Sequence, residues 1–355
     1  MLRRNILLII LIAFVALGTT GCIKITKQKT ATSKLGGVFY TTDRFETWKH
    51  RSYLMTPGET PGSIADIDVY FMRFDPSDSE AIYMGTRADG LYYSYNGGAG
   101  WNKSEKLPAG FVRDVVIDPK DKCTLYAAVE SKVYKSEDCA RTWKEVYYTD
   151  NAERKITALG VDWYIPDIIW VGLSDGTVLQ SGNKGLAWKK IGYFGNRVQK
   201  IIVDPNDSRI IYFGVLEMGL WRTTDKGVTW EDLNKAMKDF QGAKVFSDFA
   251  LGTSSKNVVV YANKYGLLRS LDGGATWSEL KLLTLPAGEQ IYSVAIDSTN
   301  ANYIYYSTDT AVYKSVDGGE NWVVKKTPTT RVVSALLVHP KQTATIFAGV
   351  KEVEQ

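Results

Sequence analysis

The segment Ser270-Leu271-Asp272-Gly273-Gly274-Ala275-Thr276-Trp277 recurs in related forms along this chain of 355 residues. Seven copies are present, spaced by about 46 residues between Trp48 and Trp322. That interval is the length of a four-stranded β-propeller blade, so the repeat predicts one propeller where the length alone suggests two or three domains. The acidic or amide residue and the Trp of the seven copies are Asp43 and Trp48, Asn96 and Trp101, Asp138 and Trp143, Asn183 and Trp188, Asp225 and Trp230, Asp272 and Trp277, and Asp317 and Trp322.

Each position of the repeat has a physical role in a hairpin. The Asp or Asn side chain accepts N–H groups of a tight turn, Gly allows a positive φ, and Trp covers the hairpin with a large apolar surface. Before the repeat, residues such as Ala311-Val-Tyr-Lys-Ser315 alternate as in a half-buried strand, and further upstream lie continuous apolar runs such as Val115-Val-Ile117. Each blade is therefore predicted to run from a buried central strand through a second and a third strand to the hairpin and an outer strand.

The two ends of the chain complete one another in this pattern. Residues 332–350 supply a central and a second strand with no hairpin repeat after them, whereas residues 36–54 supply a third and an outer strand with no central strand before them. A blade shared between the termini would close the ring and remove two exposed sheet edges. The predicted fold is all-β: a seven-bladed β-propeller of four-stranded antiparallel blades over residues 36–355, expected to be monomeric.

The N-terminal segment is typical of an export signal. Residues 1–5 are basic, and the apolar run of 13 residues from Ile6 to Gly18 is too short to span a bilayer comfortably. The residues before Cys22 resemble a bacterial lipobox, although Thr19 stands where that motif usually has Leu. We predict a lipoprotein signal peptide over residues 1–21, lipidation of Cys22, a flexible tether over residues 22–35, and an extracytoplasmic, membrane-anchored location on the periplasmic or cell-surface side. An uncleaved signal anchor is the alternative.

Composition excludes several classes of function. Two His and three Cys leave little material for a metal site, and neither a P-loop nor a dinucleotide motif is present, so no metal or cofactor is predicted. The net charge of +4 is too small to indicate nucleic-acid binding. His50 and His339 occupy repeat positions, so no Ser-His-Asp set can be assembled. Cys123 and Cys139 fall at the same end of adjacent predicted strands, which in an exported protein predicts a structural disulfide.

The face at which the central strands start surrounds the channel mouth and is the expected binding surface. A basic residue lies near the start of five of the seven predicted central strands, and a tyrosine takes the equivalent place in the other two. Such a ring of positive charge with aromatic neighbours could bind an acidic protein segment or an anionic glycan, although Asp114 and Asp248 interrupt it. The predicted binding residues are Arg113, Lys155, Arg197, Lys200, Lys244, Arg331, Tyr70 and Tyr292.

The repeat resembles the BNR or Asp-box repeat, and the resemblance covers the chain from Gly36 onward. With the lipobox-like signal, a single propeller of seven such repeats is similar to the photosystem II stability and assembly factor family, and more distantly to sortilin-type and sialidase propellers. Members of that family act as scaffolds for partner polypeptides and carry an arginine-rich patch. The resemblance implies a non-enzymatic, lipid-anchored scaffold that binds a protein or peptide partner, acidic if the basic ring is functional. No photosynthetic role is carried over.

The alternative is a surface lipoprotein that binds or hydrolyses glycans, because sialidases and xyloglucanases share this repeat. Glycoside hydrolysis needs paired carboxylates. Xyloglucanase-type sites lie in a cleft between two propellers, whereas the repeats here predict one, so no catalytic residue is predicted. Acidic residues do occur in the loops after the second strands, namely Asp89, Glu130, Asp175, Glu217 and Asp309.

Overall fold

The computed structural model describes residues 33–56, 61–255, 257–284 and 287–353, and in these residues the predicted all-β propeller is confirmed. The predicted signal peptide, Cys22 and most of the predicted tether lie outside the described residues. The strands are β1 (Gly37–Thr41), β2 (Lys49–Arg51), β3 (Tyr53–Leu54), β4 (Gly62–Ser63), β5 (Val69–Phe74), β6 (Ile82–Thr86), β7 (Leu91–Ser94), β8 (Asn102–Lys103), β9 (Val112–Asp118), β10 (Asp121–Val129), β11 (Lys132–Ser136), β12 (Lys144–Tyr148), β13 (Ile156–Val161), β14 (Ile169–Leu173), β15 (Thr177–Ser181), β16 (Lys189–Tyr193), β17 (Val198–Val203), β18 (Ile211–Val215), β19 (Gly219–Thr223), β20 (Glu231–Asp232), β21 (Phe246–Gly252), β22 (Val258–Asn263), β23 (Leu267–Ser270), β24 (Ser278–Leu280), β25 (Ser293–Ile296), β26 (Ile304–Ser307), β27 (Ala311–Ser315), β28 (Val323–Lys326), β29 (Val332–Val338) and β30 (Ile346–Lys351).

Seven four-stranded antiparallel sheets form the blades in the described part of the chain. Blades 1 to 6 each use four consecutive strands, from β5–β8 in blade 1 to β25–β28 in blade 6. Blade 7 has the order β2-β1-β30-β29, with Phe39 of β1 opposite Ala348 of β30. The prediction of a blade shared between the two ends of the propeller is therefore confirmed, and this pairing closes the ring.

Contacts with the propeller begin before the predicted boundary at Gly36. Ser33 pairs with Thr329, and the Arg331 Nε donates to the Lys34 carbonyl at 2.9 Å. The turn before β29 therefore offers hydrogen-bond donors that the chain at residues 33–35 satisfies. These three residues, predicted to be part of the tether, therefore contact the propeller.

The core lies between the blades. The second strands are buried on both faces, as β18 is over its whole length, because each is covered by the neighbouring blade. The approach is close enough that a Cβ atom on Gly214 would collide with the Phe246 ring of the next blade. Burial of these continuous apolar strands is the main stabilising term of the ring.

The Asp-box turns satisfy their own backbone. In blade 4 the Asp225 carboxylate accepts the Thr229 N–H at 2.9 Å and the Thr229 hydroxyl at 2.6 Å, and the Thr223 hydroxyl oxygen accepts the Gly227 N–H at 2.9 Å. Gly227 has φ +92°, the left-handed region that glycine adopts without strain. Hydrogen bonds from the side chain and backbone of Thr229 lower the pKa of Asp225 to about 2. The turns are thus held by internal hydrogen bonds, as predicted.

The Asp-box tryptophans do more than cover their own hairpins. The Trp101 indole donates to the Arg51 carbonyl of blade 7, and the Trp188 indole donates to the Val146 carbonyl of blade 2. Each of these bonds joins a blade to the one that precedes it in the ring. The repeat therefore also contributes to the packing of blade against blade.

The central strands share an irregularity that the hydrophobic pattern does not reveal. In six of the seven central strands that the structure describes, the pairing with the second strand skips one residue near the strand start, which is a β-bulge. Five of the six skipped residues line the mouth of the channel, and the sixth, Thr157, donates its hydroxyl to the Gly172 carbonyl. The skipped residues are Tyr70, Arg113, Thr157, Gln199, Ser247 and Ser334.

Cys123, in β10, and Cys139, in the Asp-box turn of blade 2, are joined by a disulfide. The Cys139 N–H also donates to the Cys123 carbonyl at 3.1 Å. Disulfides are typical of extracytoplasmic proteins, the location that the sequence predicts. No helix among the described residues is long and apolar enough to cross a membrane.

Candidate functional site

The face at which the central strands start, here called the mouth face, holds two adjoining cavities. The mouth cavity, of about 400 Å³, lies over the channel, and the seam cavity, of about 420 Å³, lies beside it near the junction of blades 7 and 1. Tyr70, Arg87, Tyr292 and Lys351 line both cavities, so the two form one continuous depression. Its size is that of a site for a small ligand or a segment of a polymer.

The mouth cavity is strongly positive. Six basic side chains and two acidic ones line it. The basic residues come from the starts of two central strands, from near the end of β5, from a loop after a second strand and from the end of β30, and so from several blades. They are Arg73, Arg87, Arg113, Arg197, Lys200 and Lys351, and the acidic residues are Asp114 and Asp248.

Both acidic residues are already engaged within the fold. Asp114 of blade 2 binds Arg73 of blade 1 at 2.8 Å and accepts the Leu159 N–H of blade 3 at 2.9 Å. Asp248 of blade 5 repeats this arrangement, since it binds Lys200 of blade 4 at 2.6 Å and accepts a backbone N–H of blade 6. Each carboxylate thus holds three successive blades together, and neither is left to neutralise the other cations of the mouth.

Three of the cavity residues converge on one aromatic ring, that of Phe111. The Arg113 guanidinium lies 4.0 Å from the ring centroid and that of Arg87 lies 5.7 Å away, while Tyr70 packs edge-to-face on Phe111 at 4.6 Å. Burial lowers the pKa of Arg113, and the positive charges of Arg197 and Arg87 act in the same direction. The face of the Phe111 ring attracts both guanidinium groups, which keeps two positive charges near one another.

The seam cavity combines tyrosines with carboxylates. Asp68 and Glu352 line it, and both bind Arg331, with N–O distances of 2.5 Å and 3.2 Å. The Asp309 carboxylate lies near the Tyr292 phenol. Burial and this carboxylate raise the pKa of Tyr292 to about 12, so its phenol is neutral at physiological pH.

The structure brings together only part of the predicted basic ring. Arg113, Arg197, Lys200, Tyr70 and Tyr292 line the mouth cavity. Lys155 instead binds Glu130 at 3.3 Å, Arg331 is engaged by Asp68 and Glu352, and Lys244 is exposed outside the cavity lining. Lys200 reaches the cavity but is paired with Asp248, so its role is structural.

Sequence reasoning missed Arg87 and Lys351. Both lie at the ends of second strands, a position that the search for residues near central-strand starts did not cover. The two residues occupy equivalent positions at the ends of the second strands of blades 1 and 7, and this equivalence could have identified them from the sequence. Which residue of a central-strand start faces the channel depends on the β-bulge, and no residue pattern marked it.

The five predicted loop carboxylates are scattered over the mouth face. Asp309 adjoins the depression through Tyr292. Asp175 binds Arg154 at 2.9 Å, and Glu217 accepts a hydrogen bond from Asn196 at 3.3 Å. Against the opposing effect of burial, hydrogen bonds from the Phe111 N–H and Lys155 lower the pKa of Glu130. The loops thus do not supply a carboxylate pair, whereas Asp68 and Glu352 do.

The histidines have the structural roles that the repeat predicts. His50 stacks on Phe39 at 4.5 Å and its Nε2 lies 2.9 Å from the Gly36 carbonyl oxygen, while the Nδ1 of His339 accepts two backbone N–H groups of its turn. In residues 33–56, 61–255, 257–284 and 287–353, no three His, Cys, Asp or Glu side chains are grouped so as to hold a metal ion.

Fold and site together define the class: a seven-bladed Asp-box β-propeller with a positively charged mouth and a tyrosine- and carboxylate-lined cavity beside it. The family model for "Photosynthesis system II assembly factor YCF48" matches residues 212–342. YCF48 from Cyanidioschyzon merolae superposes with a TM-score of 0.57 at 13% identity, over 80% of this chain and 95% of that one. The predicted similarity to this group of propellers is confirmed.

Xyloglucanases are the second group of relatives. A Paenibacillus xyloglucanase is 27% identical over 215 residues, which are 48% of this chain and 21% of that protein. The GH74 xyloglucanase structure from Xanthomonas campestris superposes with a TM-score of 0.65 at 18% identity, over 80% of this chain and 51% of that one. The chain thus spans about a fifth of the first relative and about half of the second.

These relatives overturn the prediction of a non-enzymatic scaffold. Proteins similar in sequence include xyloglucanases, and xyloglucanase propellers are also among the similar solved structures. The prediction failed because the Asp-box repeat, on which it depended, stabilises the fold in both groups and carries no information on the chemistry of the opposite face. The glycan hypothesis is the one to pursue.

Proposed function

We propose that this chain is a carbohydrate-active propeller of the glycoside-hydrolase kind that binds a polysaccharide on its mouth face. The observation that carries the proposal is the continuous depression in which Tyr70 and Tyr292 stand beside Asp68 and Glu352. Aromatic rings pack against the apolar faces of sugar rings, and carboxylates supply the acid and base of glycosidic cleavage. The similarity to xyloglucanases supports the same assignment.

The chemistry assigns different roles to the carboxyl groups around the depression. Cleavage needs one carboxylate that activates water or attacks the sugar and one carboxyl group that protonates the leaving oxygen. Asp68 and Glu352 are both held by Arg331, which fixes their side chains at the edge of the depression, so they are proposed for the first role. Asp309, exposed and next to the neutral Tyr292 phenol, is the proposed proton donor.

The test is release of reducing ends from a panel of polysaccharides, with xyloglucan included, by the purified protein. Asp309→Asn and Glu352→Gln should each lower kcat by at least about a hundredfold, since acid–base groups contribute roughly 10²–10⁴ in rate. The matched control is Glu320→Gln, which changes an exposed carboxylate on the opposite face and should leave the rate unchanged. The proposal is contradicted if the protein binds no polysaccharide and releases reducing ends from none.

We also propose that the propeller is exported and held at a membrane through a lipid on Cys22. The basic residues, the short apolar run and the small residues before Cys22 support this, as does the disulfide. Replacement Cys22→Ser should abolish incorporation of labelled fatty acid and release the protein from the membrane fraction. Unchanged membrane association with no label in the wild-type protein would contradict lipidation and favour the uncleaved anchor.

A further inference from the structure

The turn between β29 and β30, residues 339–345, is built on a histidine where most other blades use an aspartate. The Nδ1 atom of the buried His339 accepts the Lys341 N–H at 3.1 Å and the Gln342 N–H at 2.9 Å. In five other blades an aspartate follows or ends the central strand and accepts the N–H two residues further along the chain. These residues are Asp75, Asp118, Asp162, Asp204 and Asp297. Blade 7 therefore has an imidazole as the acceptor of its turn.

The two kinds of acceptor are lost at different pH. A carboxylate side chain ordinarily keeps its charge down to about pH 4, whereas an imidazole is ordinarily protonated near about pH 6.5. Once Nδ1 of His339 carries a proton it becomes a donor, and the two backbone N–H groups that faced it have no acceptor. A hydrogen-bonding group that loses its partner in this way costs stability. Mild acid should therefore affect this turn before it affects a turn built on a carboxylate.

The surroundings of His339 favour the neutral imidazole in the folded protein. Phe74 of blade 1 packs edge-to-face on the ring, with the ring centroids 5.4 Å apart. Two charged groups act on the imidazole: Glu80 of blade 1, whose exposed carboxylate lies 3.8 Å from Nε2, and Lys341 of the same turn. From blade 6 the neutral Ser298 hydroxyl donates to this turn. Burial lowers the pKa of His339, and Lys341 acts in the same direction against the opposing effect of Glu80.

The same turn also joins the two ends of the propeller chain. Arg44, in the Asp-box turn that follows β1, donates its backbone N–H to the Ala344 carbonyl at 3.0 Å and its Nη2 to the Thr343 hydroxyl oxygen at 3.3 Å. Strand β1 in turn pairs with β30, the strand that begins after this turn. The turn therefore belongs to the contact through which the N-terminal and C-terminal parts of blade 7 close the ring.

We propose that His339 makes the closure of the ring sensitive to pH: a proton taken up by Nδ1 in mild acid releases the turn at residues 339–345 and weakens the closing blade. The unfolded chain takes up this proton at about pH 6.5, and the folded protein takes it up only at lower pH. The stability of the closure is therefore fully present above about pH 6.5 and is lost as the pH falls below it. The proposal is independent of the proposed function.

The first experiment uses the wild-type protein and an internal control. Hydrogen exchange is measured at about pH 7.5 and about pH 5 and is corrected for the intrinsic effect of pH. Protection of the Lys341 and Gln342 amides should fall by about fivefold or more, because both lose their acceptor. The control is the turn of blade 2, in which the Lys120 and Asp121 amides donate to the Asp118 carboxylate at 2.8 Å and 3.2 Å and should keep their protection. Equal changes in the two turns would overturn the proposal.

Nitrogen NMR of the imidazole rings tests the protonation itself. The chain has two histidines, so the signals of His50 and His339 can be told apart by replacing either one. At about pH 7.5 the Nδ1 of His339 should carry no proton, and it should gain one over the same range in which the two amides lose protection. A proton on Nδ1 at neutral pH, or a loss of protection without protonation of Nδ1, would overturn the proposal.

A variant and a matched control link the histidine to stability. His339→Asn supplies a side-chain oxygen that can accept the same N–H groups and does not titrate. Between about pH 7.5 and about pH 5, the unfolding constant in urea should rise about fivefold more for the wild-type protein than for this variant. His50→Gln, which removes the histidine stacked on Phe39, should keep the wild-type dependence.

The pH dependence of unfolding gives the final decision. His339→Asn as sensitive to mild acid as the wild-type protein would overturn the proposal, and so would a loss of that sensitivity in His50→Gln but not in His339→Asn. If His339→Asn does not fold, hydrogen exchange and NMR of the wild-type protein still decide, because neither needs the variant: the signal of His339 can then be assigned with His50→Gln.

Discussion

The two faces of this propeller are made by the same strands but differ in how their charged groups are satisfied. On the Asp-box face each carboxylate is surrounded by donors of its own turn, as Asp225 is by the backbone and hydroxyl of Thr229. In the mouth cavity the cations outnumber the carboxylates, and Asp114 and Asp248 are already shared between blades. The Asp-box carboxylates are thus satisfied within their own turns, whereas the lining of the mouth cavity has a net positive charge.

This difference shows where stability and binding lie. Groups satisfied within the fold contribute to its stability and recur from blade to blade, because every hairpin poses the same steric problem. Like charges gathered in one cavity repel one another, so the cations of the mouth cavity contribute less to stability. We therefore expect changes on the Asp-box face to alter unfolding, and changes on the mouth face to alter binding.

The largest effect is expected from acid, which acts on the Asp-box face. Hydrogen bonds within the turns lower the pKa of Asp43, Asp138, Asp225, Asp272 and Asp317 to about 2 from the ordinary value of 3.8, and at Asp272 they outweigh the opposing effect of burial. Because the folded pKa lies below the unfolded one, this stability is present above about pH 4 and is lost as the pH falls to about 2. Thermal unfolding followed by circular dichroism should show Tm falling steeply in that window.

The control for acid uses the two turns that already carry an amide, since the Asn96 and Asn183 side-chain oxygens accept the corresponding backbone N–H without titrating. Replacing Asp225 and Asp272 by Asn should flatten the fall of Tm between pH 4 and 2. A fall as steep as that of the wild-type protein would show that the acid sensitivity comes from elsewhere.

The disulfide on the Asp-box side is expected to have the next largest effect. Its loop spans 16 residues, so a chain-entropy model assigns it about 3 kcal/mol. Cys123→Ser with Cys139→Ser should lower the free energy of unfolding in urea by about that amount. In the wild-type protein, mass spectrometry should find both cysteines alkylated only after reduction; alkylation without reductant would refute the bridge.

A buried hydroxyl on each face gives a direct comparison. In the Asp-box of blade 4 the Thr223 hydroxyl binds both Asp225 and the buried Gly227 N–H, so Thr223→Val should cost about 2 kcal/mol. Near the mouth the Thr157 hydroxyl has the single acceptor Gly172, and Thr157→Val should cost about 1 kcal/mol. If urea unfolding showed the same loss of unfolding free energy for both variants, the distinction between the two faces would be weakened.

The smallest effect on stability is expected at the mouth. Arg197 is exposed and lies near Arg113, a charge of the same sign. Arg197→Gln should therefore change the free energy of unfolding by no more than about 0.5 kcal/mol, in the stabilising direction if at all. A loss of more than about 1 kcal/mol would mean that the cation supports the fold, and the mouth would then be less distinct from the other face.

The repeat made the fold predictable in detail because its constraints are local. Asp225, Gly227 and Trp230 lie within six residues, so their spacing can be recognised along the chain, and the same spacing located the blade shared by the two termini. The mouth was predicted less well. Arg113 and Arg197 were found, but Lys155 and Arg331 turned out to be held by Glu130 and by Asp68 with Glu352.

The sequence by itself determined the propeller, its seven blades and the turns of the Asp-box face, because these depend on a repeat whose residues are close in the chain. It also indicated the closure, since the incomplete repeats at the two ends supply complementary halves of one blade. Only the tertiary structure decided which charges meet at the mouth. Arg87, Arg113, Arg197 and Lys351 are far apart in sequence and come from four blades, and a β-bulge sets whether a residue such as Arg113 lines the channel. Neighbouring charges from different blades are a property of the closed ring, and the period of the repeat does not encode them.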